Sequence, residues 1–183
     1  MTSRIHISRR RLLIVAAVAI ALVLVVVTIV KMFAVSPPKL QRLEELAKQG
    51  YAKAQFRLGV RYANGKGVPR DFSKAAYWFH KAAEKGNPRA QGSLGFLYMA
   101  GRSVPQDYAK AAKWFCKAAK KGNAYSQSYL GYLYQHGLGL PQSHQKAITW
   151  WRRAAAGGNI NAMNQIGWLY ENGLVPRSLR NYR

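Results

Sequence analysis

The chain is poor in the residues that most often carry chemistry. Its one cysteine, Cys116, permits no internal disulfide, so cysteine usage does not fix a redox compartment. A reactive thiol needs electropositive, exposed surroundings, and nearby Lys113 and Lys117 alone do not argue for one. The four histidines, His6, His80, His136 and His144, are scattered. No Ser/His/Asp, zinc-ligand or phosphate-loop pattern accompanies them. Acidic residues number six against 29 Lys+Arg. The two clearest candidate carboxylates, Asp71 and Asp107, stand where helix N-caps belong, which gives them structural work. These absences point away from an enzyme, and no cofactor or metal is expected.

What is abundant is positive charge and apolar surface. The formal charge is +23, and residues 37–183 hold 24 of the Lys+Arg together with all six acids. A surface of that sign attracts acidic partners, anionic lipid or glycan, or nucleic acid. The 49% hydrophobic fraction is too high for a disordered chain.

The longest apolar run covers 19 residues, Leu12 to Val30, with Thr28 its one polar member. As a helix it would measure about 29 Å, near the thickness of a hydrocarbon core. It is longer than the apolar part of a cleavable signal, and MFAVSPP offers no small-x-small site. A retained transmembrane helix over 12–30 is therefore expected, after a basic cytoplasmic tail, 1–11, and before a linker, 31–39. Arg4, Arg9, Arg10 and Arg11 favour a cytoplasmic N-terminus. The expected placement is a single-pass inner-membrane protein with its body in the periplasm or outside. The alternative is a body that faces the cytoplasm.

Beyond the linker the chain repeats itself every 36 residues. Gly50, Gly86, Gly122 and Gly158 form one column. Leu58, Leu94, Leu130 and Ile166 form another, each followed by glycine. Tyr62, Tyr98, Tyr134 and Tyr170 form a third. AAYWFHKAAEKGN, AAKWFCKAAKKGN and AITWWRRAAAGGN are three versions of one phrase. Each unit reads as two helices. Glycine then asparagine stops one helix and caps the next, and GKGVP, GRSVP or GLGLP breaks the chain between the two. Ala75, Ala76, Phe79, Ala82 and Ala83 make an apolar stripe on the second helix; Ala54, Leu58 and Tyr62 make one on the first. A lone pair could not bury both stripes, whereas stacked pairs can.

A unit reading AxxxLGxxYxxGxGVPxDxxKAxxWFxKAAxxGN resembles the Sel-1-like repeat, a relative of the tetratricopeptide repeat. The resemblance implies an all-α solenoid of helix–turn–helix units. Its expected divisions are a capping helix over 40–50, full repeats over 51–86, 87–122 and 123–158, and a truncated fourth over 159–183. It also implies an adaptor, often of bacterial envelopes, that holds a protein or peptide on the inner curve lined by first helices, with no shared catalytic residue.

On each first helix the face opposite the buried stripe varies between repeats. It reads Lys53, Arg57, Val60, Asn64; then Arg89, Ser93, Phe96, Ala100; then Tyr125, Tyr129, Tyr132, His136; then Asn161, Gln165, Trp168, Asn172. The candidate partner-binding residues are Lys53, Arg57, Arg89, Phe96, Tyr125, Tyr129, Tyr132, His136 and Trp168. The expected occupant is a protein or peptide segment, acidic near Lys53, Arg57 and Arg89 and apolar or aromatic near Tyr125, Tyr129 and Tyr132. On the second helices Lys74, Lys81, Lys85, Lys110, Lys117, Lys121, Lys146 and Arg153 share an outer ridge. The alternative function is binding of an anionic polymer, either lipid headgroups, cell-wall glycan or, less favoured, nucleic acid.

Overall fold

The computed structural model describes residues 18–26 and 38–174. The chain divides into two compact units, Met1–Gln41 and Arg42–Arg183. In the first, residues 18–26 are helical. No helix among the described residues is long and apolar enough to cross a membrane. This corrects the expected single-pass inner-membrane placement, in both its outward-facing and its cytoplasm-facing versions. Residues 12–17 and 27–30 of the expected span, the tail 1–11 and linker residues 31–37 lie outside the described residues.

Among the described residues eight helices follow: α1 (Pro38–Lys48), α2 (Ala52–Asn64), α3 (Phe72–Glu84), α4 (Pro88–Ala100), α5 (Tyr108–Lys120), α6 (Ala124–His136), α7 (His144–Ala156) and α8 (Ile160–Glu171). No strand occurs among the described residues. α2 packs on α3, α4 on α5 and α6 on α7; α3–α4, α5–α6 and α7–α8 contacts join one pair to the next. The result is the all-α solenoid of paired helices that the repeat implies. Residues 175–183 of the truncated fourth unit lie outside the described residues.

Local chemistry sets each boundary. Asp71, Asp107 and Ser143 accept from the backbone N–H three residues on and so cap α3, α5 and α7. Asn87, Asn123 and Asn159 do the same for α4, α6 and α8. Gly65, Gly101 and Gly137 end α2, α4 and α6 in the left-handed conformation, where a side chain would be strained.

The units are locked by three repeated contacts. First, the ring of each second helix presses on a glycine of its partner. A Cβ at Gly59 would lie 2.7 Å from the Phe79 ring, at Gly95 2.8 Å from Phe115, and at Gly131 2.5 Å from Trp151. Second, Gln55, Gln91 and Gln127 are buried and each Nε2 donates at 3.1 Å to a carbonyl near the end of the preceding second helix, Ala47, Ala83 or Ala119. Third, Lys85 and Lys121 each donate at 2.6 Å to a carbonyl of the preceding repeat, Gly50 and Gly86. Around these, Ala75, Ala82, Ala90, Ala111 and Ala118 are fully buried, so neighbouring helices approach closely. Tyr62, assigned to the buried stripe, is only half-buried, with the Lys74 ammonium 5.4 Å above its ring.

Two outcomes follow for stability. Gly95→Ala drives a methyl into Phe115 and should cost about 1–3 kcal/mol. Gly167→Ala meets no described atom within 4 Å and should gain up to about 1 kcal/mol of helix propensity. Urea unfolding followed by circular dichroism reads both.

The Asp107 carboxyl is held below its ordinary 3.8, first by the Lys110 backbone N–H and then by the Lys110 side chain. A pKa lowered by folding gives stability that is complete above the unfolded value and lost as pH falls through the folded one. Asp107→Asn, which keeps the cap, should therefore flatten that acid limb in a pH series of thermal melts.

Candidate functional site

The first helices α2, α4 and α6 and the loops that follow α2 and α4 enclose an open groove of about 800 Å³. Its floor is aromatic. Phe56 and Phe79 stand 5.8 Å apart, and Phe115 and Tyr129 stack at 5.1 Å and 18°. Phe96 meets Tyr129 at 6.0 Å and extends the floor. Phe79 and Phe115 are the rings seated on Gly59 and Gly95. The contact that closes each helix pair therefore also paves the groove.

The rim is cationic. Arg70, Arg89 and Arg102 line it, and no lining residue among the described residues is acidic. The Arg70 guanidinium lies 4.5 Å from the centre of the Phe72 ring; that of Arg102 lies 5.5 Å from the same ring and 6.0 Å from Phe96. Asn123, the cap of α6, and Ser126 complete the wall, so the positive end of that helix dipole also faces the groove.

Of the residues proposed from sequence, the structure brings four to this groove: Arg89, Phe96, Tyr125 and Tyr129. Tyr125 is 73% exposed, whereas Tyr129 is half-buried by its stacking on Phe115. Lys53 and Arg57 are exposed on α2 outside it. Tyr132 and His136 lie further along α6 with their rings 4.4 Å apart, and Trp168 is exposed on α8. Arg70, Arg102, Phe72 and Phe56 were missed. Angular sorting of one helix cannot show that loop side chains fold back over it.

The outer ridge is chemically different, because its cations are engaged internally. Lys85 and Lys121 hold carbonyls. Lys110 pairs with Asp107 at 3.2 Å and Lys74 with Asp71 at 3.7 Å. Lys117 and Arg153 lie 4.3 and 4.8 Å over Trp114 and Trp150; Lys81 and Lys146 lie over Tyr77 and Tyr134. These tryptophans are half-buried and pack toward the preceding repeat on their other side.

A model of the Sel1 repeat matches residues 52–87, 88–123, 124–159 and 160–183. Over 54 residues the sequence is 43% identical to the secretory immunoglobulin A-binding protein EsiB of Escherichia coli, a stretch covering 30% of this chain and 11% of that one. Among solved structures, it is similar to a protective antigen of uropathogenic Escherichia coli with an SLR fold. The TM-score is 0.71 at 40% identity, over 73% of this chain and 29% of that one. It is also similar to a Sel1 repeat protein from Oxalobacter formigenes, with a TM-score of 0.66 at 37% identity, over 72% of this chain and 98% of that one. The chain thus spans a small part of the curated relative and less than a third of the first of those structures.

The tyrosines of α6 should separate by role. Tyr129→Ala removes a stacked ring and should lower stability by about 1–3 kcal/mol, whereas Tyr125→Ala should stay within about 0.5 kcal/mol of wild type in the same denaturation series.

Proposed function

This chain belongs to the Sel1 repeat family, and we propose that it is a non-catalytic scaffold whose first-helix groove holds a segment of a protein or peptide partner. Repeat solenoids of this kind serve protein interaction. The carrying observation is the groove itself: three repeats contribute to one aromatic floor, and arginines without a carboxylate among them form its rim. Arginine and tyrosine dominate strong protein contacts because they bury area, lose little rotamer entropy and keep hydrogen-bonding capacity. The occupant reads as a segment with acidic groups toward Arg89, and toward Lys53 and Arg57 beyond the groove's end. Its apolar or aromatic part lies near Tyr125 and Tyr129, with Tyr132 next along the helix. The similar protein named for binding secretory immunoglobulin A supports a binding role in general, and its partner is not transferred.

The competing reading is an anionic polymer, glycan or nucleic acid, bound along the outer ridge. It draws less support, because that ridge spends its charge on carbonyls, carboxylates and ring faces of the chain itself.

A photo-crosslinking phenylalanine in place of Tyr125 should give discrete adducts in the native host. The same residue in place of Tyr77, exposed on α3, should give none. The adducts should persist from 0.1 to 0.5 M salt. Equal labelling from both positions, or loss with the steep salt dependence of polyanion binding, would remove the groove from consideration.

A further inference from the structure

The chain carries its own standard of comparison, since most positions have counterparts 36 residues away. Departures from that pattern are informative when they converge, because sequences break local rules mainly at functional sites. Several converge on the groove.

In two loops a glutamine ties the loop to the preceding helix. Gln106 Nε2 donates to the Met99 carbonyl at 2.9 Å, and Gln142 Nε2 to the Gln135 carbonyl at 2.8 Å. Their counterpart in the first repeat is Arg70, which lies on Phe72 instead. Arg102, whose counterparts are Lys66 and Leu138, lies on the same ring. Two guanidinium carbons thus lie 4.5 and 5.5 Å from the centre of one ring, and neither side chain has a hydrogen bond or ion pair among the described residues. Such an arrangement is repulsive unless an anion joins it. The residue after Arg102 also departs. Ser103 holds φ 60 where Gly67 and Gly139 stand, in the left-handed region that a side chain disfavours.

The wall opposite departs as well. Ser126 replaces the alanine found at Ala54, Ala90 and Ala162. It is 1% exposed, and its Oγ has no hydrogen-bond partner among the described residues. A buried hydroxyl without a partner is costly. Beside it Gly92 stands in α4 where the first repeat has Phe56. A Cβ at Gly92 would come within 2.6 Å of Ser126 Oγ. The glycine therefore makes room for the hydroxyl, and no ring fills the place that Phe56 takes one repeat earlier.

We propose that Arg70 and Arg102 clip a peptide carboxylate, with the adjoining peptide residue lying beside Gly92 and Ser126 offering it a hydroxyl donor. This rests on the groove being the partner site, and it adds which group of the partner is read. Paired guanidinium forks suit the two oxygens of a carboxylate, and the aromatic faces beneath them keep water from one side. The carboxylate belongs either to an aspartate or glutamate side chain or to a chain end.

The test is selection of random heptapeptides on the full chain, displayed in two formats. One is internal with both ends blocked, and the other has a free C-terminus. Both should enrich peptides with a carboxylate next to an aromatic or apolar residue; dominance of the free-end format assigns the carboxylate to the chain end, and acidic side chains in the internal format assign it there. For the best peptide made synthetically, Arg70→Gln, Arg102→Leu and conversion of its carboxylate to the amide should each weaken binding about tenfold. Arg70→Gln should leave the melting temperature unchanged, since glutamine is the residue of the next two repeats at that position. Selected peptides without an acid, or affinities within twofold of wild type for both variants, overturn the clip; if Phe96→Ala still abolishes binding of those peptides, the groove reading survives it. Failure to enrich any peptide in either format overturns both.

Discussion

The structure depends on one contact, an aromatic ring pressed onto a helical glycine. Phe79 on Gly59, Phe115 on Gly95 and Trp151 on Gly131 repeat it through the solenoid. A glycine inside a helix is unfavourable by about 1 kcal/mol relative to alanine, and three such helices would be poor choices alone. Seated rings offset that cost, because each removes a large apolar surface from water while allowing the backbones to approach. The third ring adds a hydrogen bond, Trp151 Nε1 donating to the Ser128 carbonyl at 2.9 Å. The alanines follow from the same closeness. Where helices meet through glycine and ring, the rows on either side have space for a methyl group and little more.

That contact also explains why the groove is aromatic. A ring that passes over a residue without a side chain reaches the opposite surface of its partner helix. Phe79 and Phe115 therefore belong to the core by burial and to the groove by position. The floor is rigid for the same reason, since neither ring can leave without emptying the seat. A ligand meeting such a surface loses less entropy in ordering its receptor than one meeting free side chains. Specificity then falls to what stands around the floor, and there the repeats differ most.

The repeating part of this architecture was legible in the sequence. Period, caps, left-handed glycines and buried stripes are nearest-neighbour properties, and a solenoid is little more than nearest neighbours. The apolar run at the N-terminus illustrates the opposite case: composition suggests a membrane-spanning role, and no helix among the described residues is long and apolar enough for one. The groove was half legible. Helical angles select Arg89, Phe96, Tyr125 and Tyr129, because those positions depend on one helix at a time. They cannot reach Arg70 or Arg102, which arrive from loops, nor the buried glutamine bridges, whose partners sit in the preceding repeat. The missed signal was present as column variation. Arg70 stands where Gln106 and Gln142 stand, and Ser126 where three alanines stand. Sorting columns by departure, rather than by face, would have found both.

Charge gives the last distinction. A chain with six acids and 29 Lys+Arg invites the view that any of its surfaces attracts anions. The structure divides those cations into two populations by what they touch. On the second helices Lys85 and Lys121 hold carbonyls of the preceding repeat, and other cations lie over rings of their own repeat, each such ring contact worth on the order of 0.5–1 kcal/mol where exposed. Removing one weakens the solenoid. Around the groove Arg70 and Arg102 also lie on rings, yet the two crowd one phenylalanine and no carboxylate among the described residues lines the cavity. Like charges brought together without need raise the energy of the empty state. Binding an anion lowers it, so the repulsion sharpens the difference between free and occupied forms. On the proposal that the crowded pair clips a carboxylate, the wider positive field serves encounter more than affinity.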